Sequence, residues 1–191
     1  MAGYPRFQGD CDNNGPGHVA DIVGHAAAIG LHPACSREII LAHSLAADLI
    51  GSDIASAQTL GAAQAISAGS VLVVRDQSGI SGVLATLLLR ASGREAMEAG
   101  RFDGVGLDLS MIARSGEAPA AFYAWGCAAR SREAARVVVS AAAGLTRLFR
   151  AIPRFARAAT VAGARTLTVS MGYLPVSGVA DLYWLPPEVA S

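Results

Sequence analysis

The apolar positions keep a helical period through the first third of the chain and lose it abruptly at Val71. From His18 to about Leu31, and again from Ser36 to about Ile50, apolar residues recur at helical spacing. Ile39, Ala42, Ala46, Leu49 and Ile50 form one stripe of the second segment. Ser36 is placed to cap that helix, with Glu38 in its first turn and Gly51 as its C-cap. A third, Ala-rich helix is expected from Ser52 or Asp53 to near Gly69. Val71-Leu72-Val73-Val74-Arg75, the turn Asp76-Gln77-Ser78-Gly79 and the run from Val83 to Leu89 then read as two buried strands in a hairpin.

Ser92 to Gly100 predicts a short helix, and Arg101 to Pro119 a long connection, which in a compact domain is functional or covered by a partner. Ala120 to Ala128 is a strand by its aromatic content. Ser131 caps a helix to about Phe149, with Ala134, Val138, Ala141, Leu145 and Leu148 facing a core and Arg132, Arg136, Arg147 and Arg150 on another stripe. Pro153 stops it. Phe155 to Thr160 is a strand, Ala162 to Met171 a helix closed by Gly172, and Leu182 to Leu185 a last strand before Pro186-Pro187. Helices inserted between strands predict an α/β layer domain rather than a bundle or a sandwich.

Length and composition then set the scale: 191 residues, 52% apolar, suffice for one domain with a continuous core. Residues 1–17, rich in Gly, Pro, Asn and Asp, read as an irregular arm. The expected domain spans 18–191, helical over 18–69 and sheet-containing over 70–191. A net charge of zero and a pI near 6.9 give no sign of nucleic acid or an anionic membrane as partner. Between Arg130 and Arg165 only Glu133 offsets the arginines, so that stretch either attracts a polyanion or solvates a helix face. Both readings stay open.

Cys11, Cys35 and Cys127 lie far apart without a C-x-x-C spacing, which argues against a disulfide framework or zinc knuckle and fits a reducing cytoplasm. No signal-peptide pattern opens the sequence, and no apolar run approaches the ~20 residues of a membrane span. His18, His25 and His32 are spaced by seven, too far apart for ligands on adjacent turns, so no metal is expected. His43 shares the face of Ile39 and Ala46 and reads as a half-buried packing residue.

The segment from Ala120 to Val176 resembles the C-terminal half of the GNAT N-acetyltransferases. The likeness rests on a strand ending in small residues, an Arg130-Ser131-Arg132 turn into a long helix, Phe155-Ala156-Arg157, and the closing phrase Met171-Gly172-Tyr173-Leu174-Pro175-Val176. The resemblance implies a mixed, mainly antiparallel central sheet flanked by helices, with a helical N-terminal third. It also implies that an acyl-coenzyme A lays its diphosphate on backbone amides at the start of the long helix, where first-turn N–H groups lack partners and the dipole is positive. Gly126, Cys127, Ala128, Arg130, Ser131 and Arg132 are the positions this assigns to the coenzyme. Glu133 stands where the family phrase has its first Gly, Thr168 where many members have a general-acid Tyr, and Val161 where they have an Asn.

The strand from Ala120 to Ala128 carries no carboxylate to act as general base. Tyr123, Cys127, Thr168 and Tyr173 are therefore the catalytic candidates, with Asp103, Asp108 or Glu117 supplied by the long connection. Cys127 reads either as a nucleophile at a helix N-terminus or as a small core residue. The function this implies is direct transfer of an acetyl or similar group from acetyl-CoA or another acyl-CoA to an amine on a small molecule or protein. The alternatives are a GNAT-like binding or regulatory domain without turnover, or a homodimerisation module built on the Ala-rich helices.

Overall fold

Gly30, at φ 89°, ends the first helix in a conformation that favours glycine, and the chain turns straight into a strand that the helical period had hidden. The computed structural model describes residues 19–188. The arm expected over 1–17, with Cys11, and also His18 lie outside the described residues. Helix α1 is Val19–Ala28 and strand β1 is Leu31–Pro33, so the helix expected to reach Leu31 is shorter. Pro33 is tolerated because β1 is an edge strand, pairing with β2 alone.

Helix α2 (Ser36–Ile50) is capped by Cys35, one residue earlier than expected, and the Cys35 amide donates to Glu38 Oε2 at 2.9 Å. Its buried stripe is Ile39, Ala42 and Leu45; Leu49, expected in the stripe, is 48% exposed. Leu49 faces away from the sheet, while the next residue, Ile50, packs against the same cluster as Leu45. Helix α3 (Ala57–Ile66) begins later than expected, where Ser56 Oγ accepts from the Thr59 amide at 3.1 Å. The hairpin follows as β2 (Val71–Asp76) and β3 (Gly79–Leu89), then α4 (Ala91–Glu98) and the long connection with one 3₁₀ turn at Leu109–Met111.

Strand β4 is Ala121–Ala129 and α5 is Arg132–Leu148. Leu148 is exposed, whereas Phe149, one step round the helix, is buried and stacks on Phe122 with centroids 5.1 Å apart. Strand β5 (Arg154–Arg157) is shorter than expected, and the helix expected over 162–171 divides into α6 (Val161–Arg165) and a π-helical turn, Thr166–Ser170. Gly172 closes that turn at φ 74°, before β6 (Leu174–Pro175) and β7 (Leu182–Leu185).

The strands form one sheet in the order β1-β2-β3-β4-β5-β7-β6, antiparallel throughout except for the β4–β5 pair. The architecture is α/β, with a mainly antiparallel central sheet flanked by helices. On one face α1 and α5 bury Ile22, Leu84, Leu88, Phe122, Val138 and Leu145. On the other, α2, α3 and α4 bury Leu45, Leu60, Val73, Leu87, Met97 and Tyr123. His25 packs α1 against α5 at Gly144, its Nε2 buried with no hydrogen-bond partner. Arg154 is 2% exposed and holds the tail: its guanidinium donates to the carbonyls of Thr146 and Pro186 and pairs with Glu188 at 3.0 Å. Among the described residues no helix is long and apolar enough to cross a membrane.

Candidate functional site

Strand β4 keeps its two neighbours over unequal lengths. It pairs with β3 along its whole course but with β5 only through three residue pairs, Phe122 with Arg154, Tyr123 with Phe155 and Ala124 with Ala156. On its other side β5 pairs with β7 along its whole length, from Arg154 with Leu185 to Arg157 with Leu182, and the Ala158 amide donates to Asp181 O at 3.1 Å. Within the β3–β4 pair the register shifts between Ala85 and Thr86. Gly126 opposes Ala85 and Ala124 opposes Thr86, so Trp125 is the extra residue of a bulge. Alternate N–H and C=O groups of residues 125–129 therefore face a gap in which no described strand stands.

The small residues at the end of β4 keep that gap open. A Cβ built on Gly126 would meet nothing within 4 Å. Cys127 pairs with Leu84 and so shares its sheet face with α5; the residue is exposed. Desolvation by the surrounding protein pushes the thiol's pKa up. Ala128 is buried on the opposite face, against the cluster of α2 and α3.

At the end of the gap, Ser131 is extended (φ −124°, ψ 159°) and its Oγ accepts from the Ala134 amide at 3.1 Å. One first-turn donor is thereby used, leaving the amides of Arg132 and Glu133 without intrahelical partners. Ser131, Arg132 and Glu133 are all exposed, so among the described residues no element plugs the helix end. Arg130 donates its amide to Ser81 O and turns its guanidinium to Asp48 at 3.2 Å; both side chains are more than half exposed, and such a pair is easily exchanged.

The opposite mouth of the gap lies on the α4 face, where residues 101–119 pass beneath it. Trp125 Nε1 donates to Gly104 O at 2.9 Å, and Phe102 meets the Tyr123 ring edge-on with centroids 5.5 Å apart. Tyr123 is buried, which pushes its phenol up to about 12, although the nearby Arg157 acts in the other direction. The three carboxylates considered as bases are occupied. Asp103 is held below the usual carboxylate range by the amides of Gly106 and Val105, and Asp108 by Ser110. Glu117 is lowered by Arg90, its ion-pair partner at 2.8 Å.

Tyr173 and Thr168 stand apart from this arrangement. The buried Tyr173 hydroxyl lies 3.3 Å from Thr146 Oγ1, fifteen residues along α5 from Ser131, or roughly 20 Å at 1.5 Å per residue. Burial raises its pKa. Thr168 Oγ1 donates to Ala164 O at 2.9 Å within its own turn. The structure thus brings together Tyr123, Gly126, Cys127 and residues 130–132. Sequence reasoning missed Arg157, whose place beside Tyr123 follows from its alternation with Phe155 along β5. Among the described residues no group of three His, Cys, Asp or Glu is arranged to hold a metal ion.

No family model matches the chain, and no curated protein matches it. In structure it is similar to solved acetyltransferases. A GNAT-family acetyltransferase from Streptococcus agalactiae 2603 superposes with a TM-score of 0.48 at 15% identity, over 83% of this chain and 95% of that one. An acetyltransferase candidate from Staphylococcus aureus Mu50 gives 0.47 at 14% identity, over 80% and 94%. A further acetyltransferase gives 0.44 at 14% identity, over 83% and 99%.

Proposed function

We propose that this chain is an acyl-CoA-dependent N-acyltransferase that passes an acetyl or similar group directly to an amine. The observation that carries the reading is the gap between β4 and β5, which opens beside the uncovered N-terminus of α5. A pantetheine arm is an extended chain of amides, and the unpaired backbone groups of residues 125–129 offer it strand-like hydrogen bonds beside Gly126. The diphosphate then meets the amides of Arg132 and Glu133 and the positive end of the helix dipole, with Arg130, Ser131 and Arg132 around it. In the transfer the amine nitrogen attacks the thioester carbonyl, the C–N bond forms as C–S breaks, and the proton shed by nitrogen balances the one taken up by the thiolate.

A second reading, a ligand-binding domain without turnover, is favoured by one specific observation. Asp103, Asp108 and Glu117 are all held below the usual carboxylate range, and the Tyr123 phenol, at about 12, is far from its best working range. Thermal unfolding with acetyl-CoA separates the cases, since ligand at about a hundred times its Kd adds roughly 2.7 kcal/mol. A shift together with thiol release over an amine panel supports the enzyme. A shift without release leaves the binder, and no shift overturns both.

A further inference from the structure

Helix α2 seats Ile39, Ala42 and Leu45 in the core, and its opposite face is bare among the described residues. Arg37, Leu41, Ser44 and Asp48 are all exposed there and fall within roughly 60° of arc at about 3.6 residues per turn. Ile40 borders them at 60% exposure, and Leu41 is 50% exposed. The two charges stand at the wrong ends for the helix itself: Arg37 lies in the first turn, where the dipole is positive, and Asp48 in the last, where it is negative. Arg37 has no carboxylate partner among the described residues, and Asp48 meets the exposed Arg130 at 3.2 Å.

We propose that this face of α2 is a two-fold interface with a second copy of the chain, a reading independent of the acyl-transfer chemistry. The stripe is spaced identically from either end, its members separated by four, three and four residues. Two copies of α2 laid antiparallel about a two-fold axis between Leu41 and Ser44 therefore set Arg37 of each copy against Asp48 of the other, and Leu41 against Ser44. The small serine lets the axes approach to the roughly 8–10 Å of packed helices. Each misplaced charge then meets an opposite charge and the favourable end of the neighbouring dipole. A parallel pairing sets Arg37 against Arg37 and Asp48 against Asp48, so the charges also exclude the wrong orientation. Burial of Ile40 and Leu41 supplies the affinity, while the exposed ion pairs fix the register.

Sedimentation velocity of the full chain over a concentration series tests this. The wild type is expected to pass from monomer to dimer as the concentration rises. Arg37→Glu and Asp48→Arg each place like charges at both contacts, and each is expected to weaken the dimer about tenfold. Mixed in equal amounts, the two variants are expected to pair with each other as tightly as the wild type. In that pair the introduced glutamate meets the introduced arginine, and the remaining Arg37 meets the remaining Asp48. Recovery in the mixture also reports that both variants are folded. A wild type that stays monomeric throughout, a dimer that either charge reversal leaves as tight as before, or two weakened variants whose mixture does not recover overturns the interface.

Discussion

Replacing Gly144 by Ala sets two opposing effects against each other, and the contact between α1 and α5 decides which wins. Gly144 lies in the interior of α5, where Ala is favoured by about 1 kcal/mol. A Cβ at that position, however, would overlap His25 Nε2 and stand 2.5 Å from Cε1 and 3.1 Å from Cδ2. Three ring atoms cannot yield together without turning the imidazole out of its packing, and overpacking of this kind costs about 1–3 kcal/mol. With the overlap at the severe end, Gly144→Ala is expected to lose about 2 kcal/mol net. In a His25→Ala background the obstruction is gone, and the same substitution is expected to gain about 1 kcal/mol. Urea unfolding of the wild type, the two single variants and the double variant gives the coupling directly, expected near 3 kcal/mol. Stabilisation by Gly144→Ala alone, or a coupling below about 0.5 kcal/mol, would refute this account of how α1 is seated.

Gly126→Ala places a methyl group in the gap with no neighbour within 4 Å, so the free protein should keep its melting temperature while the stabilisation by acetyl-CoA weakens; an unchanged ligand shift sinks the assignment of the gap. Glu38 is held down to about 2 by Arg75, against an ordinary value of 4.5. A depressed carboxylate stabilises fully above pH 4.5 and loses that contribution as the pH falls toward 2. Because Arg75 is 43% exposed, solvent keeps the contribution below about 1 kcal/mol. Glu38→Gln is expected to flatten the fall in stability across that interval, measured by denaturant unfolding at several pH values, and an unaltered slope contradicts it. Arg154→Met strips the buried Thr146 carbonyl of its donor, costing about 1–3 kcal/mol, and frees the exposed Pro186 carbonyl to water. Glu188→Ala, at a 61% exposed side chain, should cost less than about 1 kcal/mol in the same unfolding assay, and equal losses would contradict the assignment of the buried end as the dominant one.

The hairpin, β4 and α5 were legible because each carries a strong local signal: β-branched runs flanking Asp76-Gln77-Ser78-Gly79, and Ser131 ahead of a regular apolar stripe. Strand β1 was not, since three residues between Gly30 and Ala34 cannot show a period, and it exists because β2 offers an unpaired edge. Leu49 and Leu148 were misplaced by one step of helical phase: the next residue in each helix, Ile50 or Phe149, is the one packed inward. The gap at β4 was half legible. Gly126 hinted at a bulge, but the register shift that leaves Trp125 over depends on β3, forty residues earlier. Arg157 and the contact between Gly104 and Trp125 belong to segments that meet only in space, so no spacing in the sequence could have joined them.

Three residue pairs are a narrow seam for a seven-stranded sheet. The strands before it and those after it form two plates riveted at one end, and Arg154, partner of Phe122 in the first of those pairs, is the rivet. Its guanidinium grips the tail at Pro186 and Glu188, so the far edge of the molecule bears on the pivot itself. A ligand beside Gly126 would therefore lie at the opposite end of β4 from the only three pairs that join β4 to β5.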